Sequence, residues 1–507
     1  MLKPPKDPWF EVITKRAALN EWFERAFVYL GASTAVQRRF LVLSAAIALG
    51  YLEWFVILSW STHGFVLDHS GHPVPRDFLA FWTAGRDALN GSAPLAYKPN
   101  WMHAAEVTAV GHGFIGDLRW RYPPAFFLVA AALSVLPYET AFLIWICTTA
   151  FAYALAASRA ARYRGAFLIA LAAPWTFINI FLGQNGFLSA SILGFALLQL
   201  RLRPALGGAI LGLLIYKPQF GLLIPFALGA GGHWRAFGSA AIVALVSNVI
   251  AAFLFGPETL SAFAHETTEF ATTMSVPGIH FSFQSLYAVL HDAGNLTARN
   301  ALLLQACWTI VCAFVISVVW RSRTPFALKA ALLLAATPIS AQYVFTYDLP
   351  VLAISVAFLR RHRDLDRVEL VLMSFATLCV VISILWPTPI SFLAGVSVGA
   401  LALRRIVLWQ HPSPRQITAK ISSAPRNGGS KSHARHLSDP EAARPAPPPL
   451  ERAPGDDGLR AFGHRVLFDA IGELFLLLAP HWRGQAASGI RGCRATGAFG
   501  EASVRKP

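Results

Sequence analysis

The feature that most restricts the fold is an alternation of long apolar runs with short segments carrying arginine. A run of about 20 residues crosses a hydrocarbon core of about 30 Å as a helix, and a backbone in lipid has to satisfy its own N–H and C=O groups. The chain is therefore expected to be all-α and polytopic. Composition agrees: of 507 residues 55% are hydrophobic and 14% charged, and the mean hydropathy is +0.49. These values exclude an ordinary soluble domain. A net charge of +16 would suggest nucleic acid in a soluble chain. Here the Lys and Arg cluster between apolar runs, as in cytoplasmic loops, and no nucleic-acid partner is expected. Cys147, Cys307, Cys312 and Cys379 lie inside apolar runs and Cys493 in the tail, with no disulfide or metal-site spacing.

Taken in order, residues 1–39 are basic (Lys15, Arg16, Arg25, Arg38, Arg39) and suit a cytoplasmic surface. Residues 40–60 form the first span, retained because no small-residue cleavage site follows. Residues 61–121 make a long outer loop with His63, Asp68, His72, Asp77, Trp101, His103 and Trp120. Only one crossing can separate this loop from the basic residues Arg159, Arg162 and Arg164. The short, Pro-bounded 123–137 segment is accordingly expected to be re-entrant or interfacial, with 139–158 as the second span. Basic clusters at Arg201 and Arg203, Arg235, Arg321 and Arg323, Arg360 to Arg363, and Arg404 and Arg405 then alternate with outer turns. The turns fall at 183–186, 216–219, 257–300, 342–348 and 387–389. About twelve spans follow, with 204–230 open to a second reading as one Pro-kinked helix. From 406 to 507 a cytoplasmic tail rich in Pro, Ser, Ala and Arg reads as largely disordered, with one apolar patch at 474–479. The working domain is thus expected over 40–405. Usage rich in Ala and Arg and poor in Lys points to a GC-rich bacterium, and so to its inner (plasma) membrane.

Within the outer loop, Pro75-Arg76-Asp77 leads into Phe78, Trp82, Gly85 and Leu89 at helical spacing, and Asn90-Gly91 is a stop signal. This predicts a short amphipathic helix on a membrane surface. Asp77 has two roles open to it on residue chemistry, the helix N-cap or a catalytic carboxylate. Polar residues among apolar runs are the other informative positions. Gln184 and Asn185 sit between glycines, as a site or as a tight turn. Lys217 precedes Pro218-Gln219, either in a site or snorkelling to the interface. Tyr347-Asp348 opens an apolar run, where Asp348 is a cap or a functional group. All three turns face the side of the Asp77 loop, so they can share one pocket, and a Lys with amide donors and a nearby Arg suits a phosphate. His265, Glu266 and Glu269 lack a third convincing metal ligand, and His280, Gln284 and Tyr287 lie in another outer loop.

Asp77-Phe78, Asn90-Gly91, Leu95-Ala96-Tyr97, Tyr122-Pro123-Pro124, Gly183-Gln184-Asn185, Lys217-Pro218-Gln219, Gln284-Ser285-Leu286 and Tyr347-Asp348-Leu349 occur in that order. On a polytopic apolar chain this set resembles the integral-membrane glycosyltransferases of family 87, polyprenol-phosphate-sugar-dependent enzymes of the GT-C fold, over about residues 40–405. The resemblance implies transfer of a sugar, a mannose-like hexose or a pentose, from a polyprenyl-phosphate donor to a lipid or glycan acceptor on the extracytoplasmic side. It implies Asp77 as general base, with Lys217, Arg121, Gln184 and Asn185 around the donor phosphate. Arg76, Tyr97, Tyr122, Gln219, His280, Gln284, Tyr347 and Asp348 would surround the substrates. No cofactor is expected, and without an Asp-x-Asp pair in the first outer loop no metal. Family members often carry a His in the outer turn where this chain has Gln342-Tyr343 and Tyr347-Asp348, a departure on the acceptor side. A transporter or flippase using Lys217, Asp348 and Gln184 is the competing class, and it would call for internal inverted repeats that the sequence lacks. A scaffold without chemistry would have no use for Asp77, Lys217 and Gln184 together.

Overall fold

The computed structural model describes residues 21–61, 76–111, 113–114, 118–273 and 283–410, all within one unit, Met1–Ala424; the other unit, Pro425–Pro507, lies outside them. The expectations for His63, Asp68, His72, His280, the first twenty residues and the tail beyond 410 fall outside the described residues, as does the side chain of Arg76. Among the described residues the regular elements are helical, and one isolated bridge joins Phe283 to Phe345.

Helices of this fold, in order, are α1 (Ala35–Ser61), α2 (Arg76–Leu89), α3 (Pro99–Val110), α4 (Phe127–Ser134), α5 (Tyr138–Ala161), α6 (Pro174–Leu182), α7 (Gly186–Gln199) and α8 (Pro204–Gly212). They continue with α9 (Trp234–Phe255), α10 (Glu258–Thr273), α11 (Ala298–Arg321), α12 (Phe326–Ser340), α13 (Pro350–His362), α14 (Arg367–Leu385) and α15 (Phe392–Gln410). Six of the described helices are long and apolar enough to cross a membrane: 35–57 of α1, then α5, α9, α11, α14, and α15 with its preceding turn. The expectation of about twelve spans is therefore met only in part. The other apolar runs are short helices: α4 with its first turn, α7, the two halves of 204–230, and α12.

Packing explains the difference. Only 6% of the apolar window of α9 and 17% of that of α1 are buried within the protein. By contrast α7 and α12 are buried almost from end to end, packed on α5 and α13, and on α13 and α15 respectively. A helix sheathed by other helices rather than by lipid need not reach across the hydrocarbon on its own.

Two expectations are refined here. Segment 204–230 is a hairpin and not one kinked helix. After α8 a tight turn, Leu213–Tyr216, ends at Lys217, whose backbone leaves helical geometry (φ −137°, ψ 68°), and Pro218 restarts the chain. The two ends of this hairpin return to one place: Arg201 lies 6.0 Å from the Phe326 ring, and His233 lies 5.9 Å from the Trp320 ring. That same end gathers Arg162, Arg361 and Arg201, with Arg360 4.2 Å over Tyr163. The basic clusters thus share one end of the bundle, and Lys217 lies at the hairpin's far tip.

The second refinement concerns α2. It ends at Leu89, with Gly91 at φ +77°, as the Asn-Gly signal predicts. It is not a helix lying on a surface, however: every residue from Phe78 to Gly85 is buried. A Cβ on Gly85 would stand 2.2 Å from the Ala130 carbonyl oxygen, so glycine lets α2 and α4 meet backbone to backbone. On another side Phe81 meets Trp120, Tyr122, Phe126 and Trp145 edge-on. The apolar stripe at helical spacing was read as one face, but Phe81 and Ala84 bury a second one.

Candidate active site

Three turns converge at the end of the bundle opposite the basic clusters. Proline or glycine starts or stops the helices there. Gly183 (φ +69°) ends α6, and Asn185 precedes α7. Pro218 follows Lys217, and the 346–348 turn leads into Pro350. The Gln184 turn and the Tyr347 turn touch so closely that a Cβ on Gly186 would fall 1.7 Å from the Tyr347 carbonyl oxygen. Buried Asn179 clamps them, its Nδ2 donating to Tyr347 O (2.7 Å) and its Oδ1 accepting from Gly186 N–H (3.1 Å).

The polar side chains at these turns form one line of hydrogen bonds. Lys217 Nζ donates to Asn185 Oδ1 (2.8 Å), and Asn185 Nδ2 donates to the Tyr122 hydroxyl (2.9 Å). Tyr122 donates to Gln184 Oε1 (3.3 Å), and Gln184 Nε2 donates to Asp77 Oδ2 (2.7 Å). Lys217 also pairs with Asp348, whose second oxygen accepts from Phe345 N–H (3.1 Å). The two carboxylates, 271 positions apart in sequence, are thereby joined through four side chains. Asn185 and Asp348 are fully buried and Lys217 is 4% exposed, so Lys217 does not snorkel. Burial, then the charges of Asp77 and Asp348, push the Tyr122 phenol well above its ordinary range, so it stays protonated and able to donate.

A cavity of about 940 Å3 opens on this line. It is lined by Asp77, Arg121, Tyr122, Gln184, Lys217, Gln219, Gln284, Tyr347 and Asp348 among the residues singled out in the sequence. Asn185 backs it through its hydrogen bonds. Tyr97 does not line it; its hydroxyl donates to the Tyr122 carbonyl (2.8 Å) and so supports the wall from behind. Gln284 ties the wall to the 387–391 turn, donating to Thr388 O (3.0 Å) and accepting from Ser391 N–H (2.9 Å). Apolar residues complete the lining, among them Ile178, Phe181 and Leu182 of α6, Ile384 of α14 and Pro387.

Sequence reasoning left Arg119 out and read Glu266 only as a metal-ligand candidate. Arg119 lies 3.5 Å from Glu269, and Arg121 lies 3.4 Å from Glu266 and stacks 4.1 Å over Phe270. Burial raises the Glu266 carboxyl above the usual carboxylate range, against the pull of Arg121 and Arg119. No signal along the chain links residues 119–121 to α10, because the pairing is made by tertiary packing. His265 is exposed, and among the described residues no three His, Cys, Asp or Glu side chains stand together as a metal-binding group.

Residues 120–341, which hold Arg121, Tyr122, Gln184, Asn185, Lys217 and Gln284, match the model of glycosyltransferase family 87. The chain carries a family 87 domain. No curated protein and no solved structure matches it. Family 87 is a family of membrane glycosyltransferases, in keeping with the six long apolar helices, and the activity that membership carries is glycosyl transfer. The family 87 segment ends before Tyr347 and Asp348 and begins after Asp77, yet hydrogen bonds join all three to it.

Proposed function

We propose that this family 87 protein transfers a sugar from a polyprenyl-phosphate donor to a lipid or glycan acceptor, with Asp77 as general base, on the extracytoplasmic face of a bacterial inner membrane. The observation that carries the reading is the mixed lining of the cavity. A carboxylate, amides and cations line it together with apolar residues, among them those of α6 and α14. A lipid-linked sugar has the same two-part character, a polar head and a long hydrocarbon tail. The membrane setting makes such a donor accessible from the side.

In this mechanism Asp77 takes the proton of an acceptor hydroxyl as that oxygen attacks the anomeric carbon. The bond from the anomeric carbon to the lipid phosphate breaks, and polyprenyl phosphate leaves with the electron pair. One carboxylate suffices, because a phosphate leaves without a general acid, unlike the alcohol of an ordinary glycoside. Charge growing on the departing phosphate falls to the cations of the wall, Arg121 and Lys217. The donor is a substrate, and the scheme needs no cofactor. The remaining lining residues, Gln219, Gln284 and Tyr347 among them, are placed to meet sugar hydroxyls.

The test is sugar transfer in membranes from cells expressing wild-type or Asp77→Asn protein, with radiolabelled polyprenyl-phosphate sugars and native lipid extract as acceptor. Wild-type release of polyprenyl phosphate, lowered about 100-fold or more by Asp77→Asn at equal abundance, is the expected result. Equal turnover by both proteins would refute the base assignment, and the absence of any transfer with every donor would refute the donor class.

A further inference from the structure

We infer that Lys217 and Asp348 form a charge-balanced buried pair whose task is to orient Asp77 through Asn185, Tyr122 and Gln184, not to hold the donor's phosphate. The inference rests on the reading of Asp77 as the base and changes one assignment within it. Three observations carry it.

The first is the pairing already in place. The Lys217 ammonium has Asn185 Oδ1 and the Asp348 carboxylate as acceptors, and it lies 5.2 Å from the Phe220 ring and 5.3 Å from the Tyr347 ring. Its charge is balanced by Asp348, which is fully buried, and a phosphate drawing the ammonium away would weaken that carboxylate's counter-charge. Arg121, which lines the same cavity and is exposed, pairs with Glu266 at 3.4 Å through one nitrogen of its five-donor guanidinium.

The second is direction. Each member of the line donates toward Asp77 and accepts from the Lys217 side. The Gln184 amide is fixed in this sense by the Asn185 backbone N–H, which donates to its Oε1 (3.1 Å), and the Asn185 amide by the Lys217 ammonium, which can only donate. Hydrogen bonds aligned in one sense polarise one another, so the ammonium at one end strengthens the amide donor that holds Asp77 at the other.

The third is rigidity. Asn185, Gln184 and Lys217 are each at most 4% exposed, and the turn that carries two of them is locked by Asn179 and by Trp145, whose indole N–H donates to Gly183 O (3.0 Å). A base that must meet an acceptor hydroxyl within hydrogen-bond reach profits from such a fixed support.

The experiment is a double-mutant cycle in the full-length protein, using the membrane transfer assay with the polyprenyl-phosphate sugar that the wild type accepts. Lys217→Met alone should lower turnover about 100-fold and reduce abundance, because it strands a buried carboxylate. Lys217→Met combined with Asp348→Asn should recover about tenfold or more of that loss per mole of protein. A double variant as inactive as Lys217→Met at wild-type abundance, with its donor KM raised, would assign Lys217 to the phosphate and overturn the inference. Tyr122→Phe provides the second readout, since it removes one hydroxyl and cuts the line. The expected result is a kcat about tenfold lower with donor KM nearly unchanged. A raised KM at unchanged kcat would overturn the orienting role. Should wild type and Asp77→Asn turn over alike, the base assignment itself fails, and that outcome is read separately from the cycle.

Discussion

The two ends of this helical bundle both bury charge, and they do so in opposite ways. At the arginine-rich end, Arg405 grips Glu369 with two bonds (2.8 and 2.6 Å) and spends its remaining donors on the carbonyls of Leu359, Arg363 and Asp364. Glu369 in turn forms a capping box with Asp366 at the start of α14. This network is closed at its centre: Arg405 and Glu369 are 1% and 0% exposed and do not line the cavity described above. At the other end, the line from Lys217 reaches Asp77, which lines a 940 Å3 cavity. A closed network serves the fold alone, whereas an open one delivers a polar group to a place where a substrate can sit.

Mutations should separate the two. The largest effect expected is on the closed network. Arg405→Ala takes from buried Glu369 its two-bond partner, leaving it Arg363 and Arg404 at 3.1 Å each, and should cost about 3 kcal/mol, read as loss of membrane-inserted protein and a lower thermal midpoint. Abundance close to wild type would show that the network is not closed. Gly186→Ala comes next, since its new Cβ would strike the Tyr347 carbonyl at 1.7 Å and push apart the turns that carry Gln184 and Asp348. Turnover should fall about 100-fold while most of the protein still inserts, because a small misplacement of reacting groups is enough. Gln184→Ala removes only the amide that holds Asp77, and a loss of about tenfold in kcat at unchanged abundance is expected.

Glu266→Gln should have the smallest effect. It removes the counter-charge of Arg121 and Arg119, so the KM for an anionic donor should fall about threefold, the scale of a partly exposed ion pair. The sign of its effect on stability follows from the raised carboxyl. Folding favours the protonated form of Glu266, so that contribution is present below the unfolded value and is lost as pH rises through the folded one. The neutral Gln should accordingly keep its thermal stability at neutral pH and flatten the pH dependence between those two values. A higher donor KM in this variant would show that Glu266 orients Arg121 rather than restraining it.

Much of the site could be found along the chain, because polar residues in an apolar sequence stand out. Gln184-Asn185, Lys217 and Tyr347-Asp348 were each conspicuous among apolar neighbours, and the alternation with arginine clusters put their turns on one side. Three things were not legible. The span count was not fixed, because a run such as 326–340 looks alike whether lipid or protein surrounds it. Helix α2 was read as lying on a surface because an amphipathic stripe reports one buried face and is silent about a second. The placement of Arg119 and Arg121 against α10 had no local signature at all.

By itself, then, the amino-acid sequence determined that this chain is helical and membrane-bound, which of its ends is basic, and which polar residues cannot be ordinary surface. Those properties follow from transfer free energies and local backbone chemistry, which each residue carries with it. Only the tertiary structure decided that Lys217 faces Asp348, that Asn185, Tyr122 and Gln184 connect that pair to Asp77, and that short helices lie inside long ones. Those pairings depend on where segments 32 to 131 residues apart come to rest, and packing against neighbours sets that, not the composition of either segment.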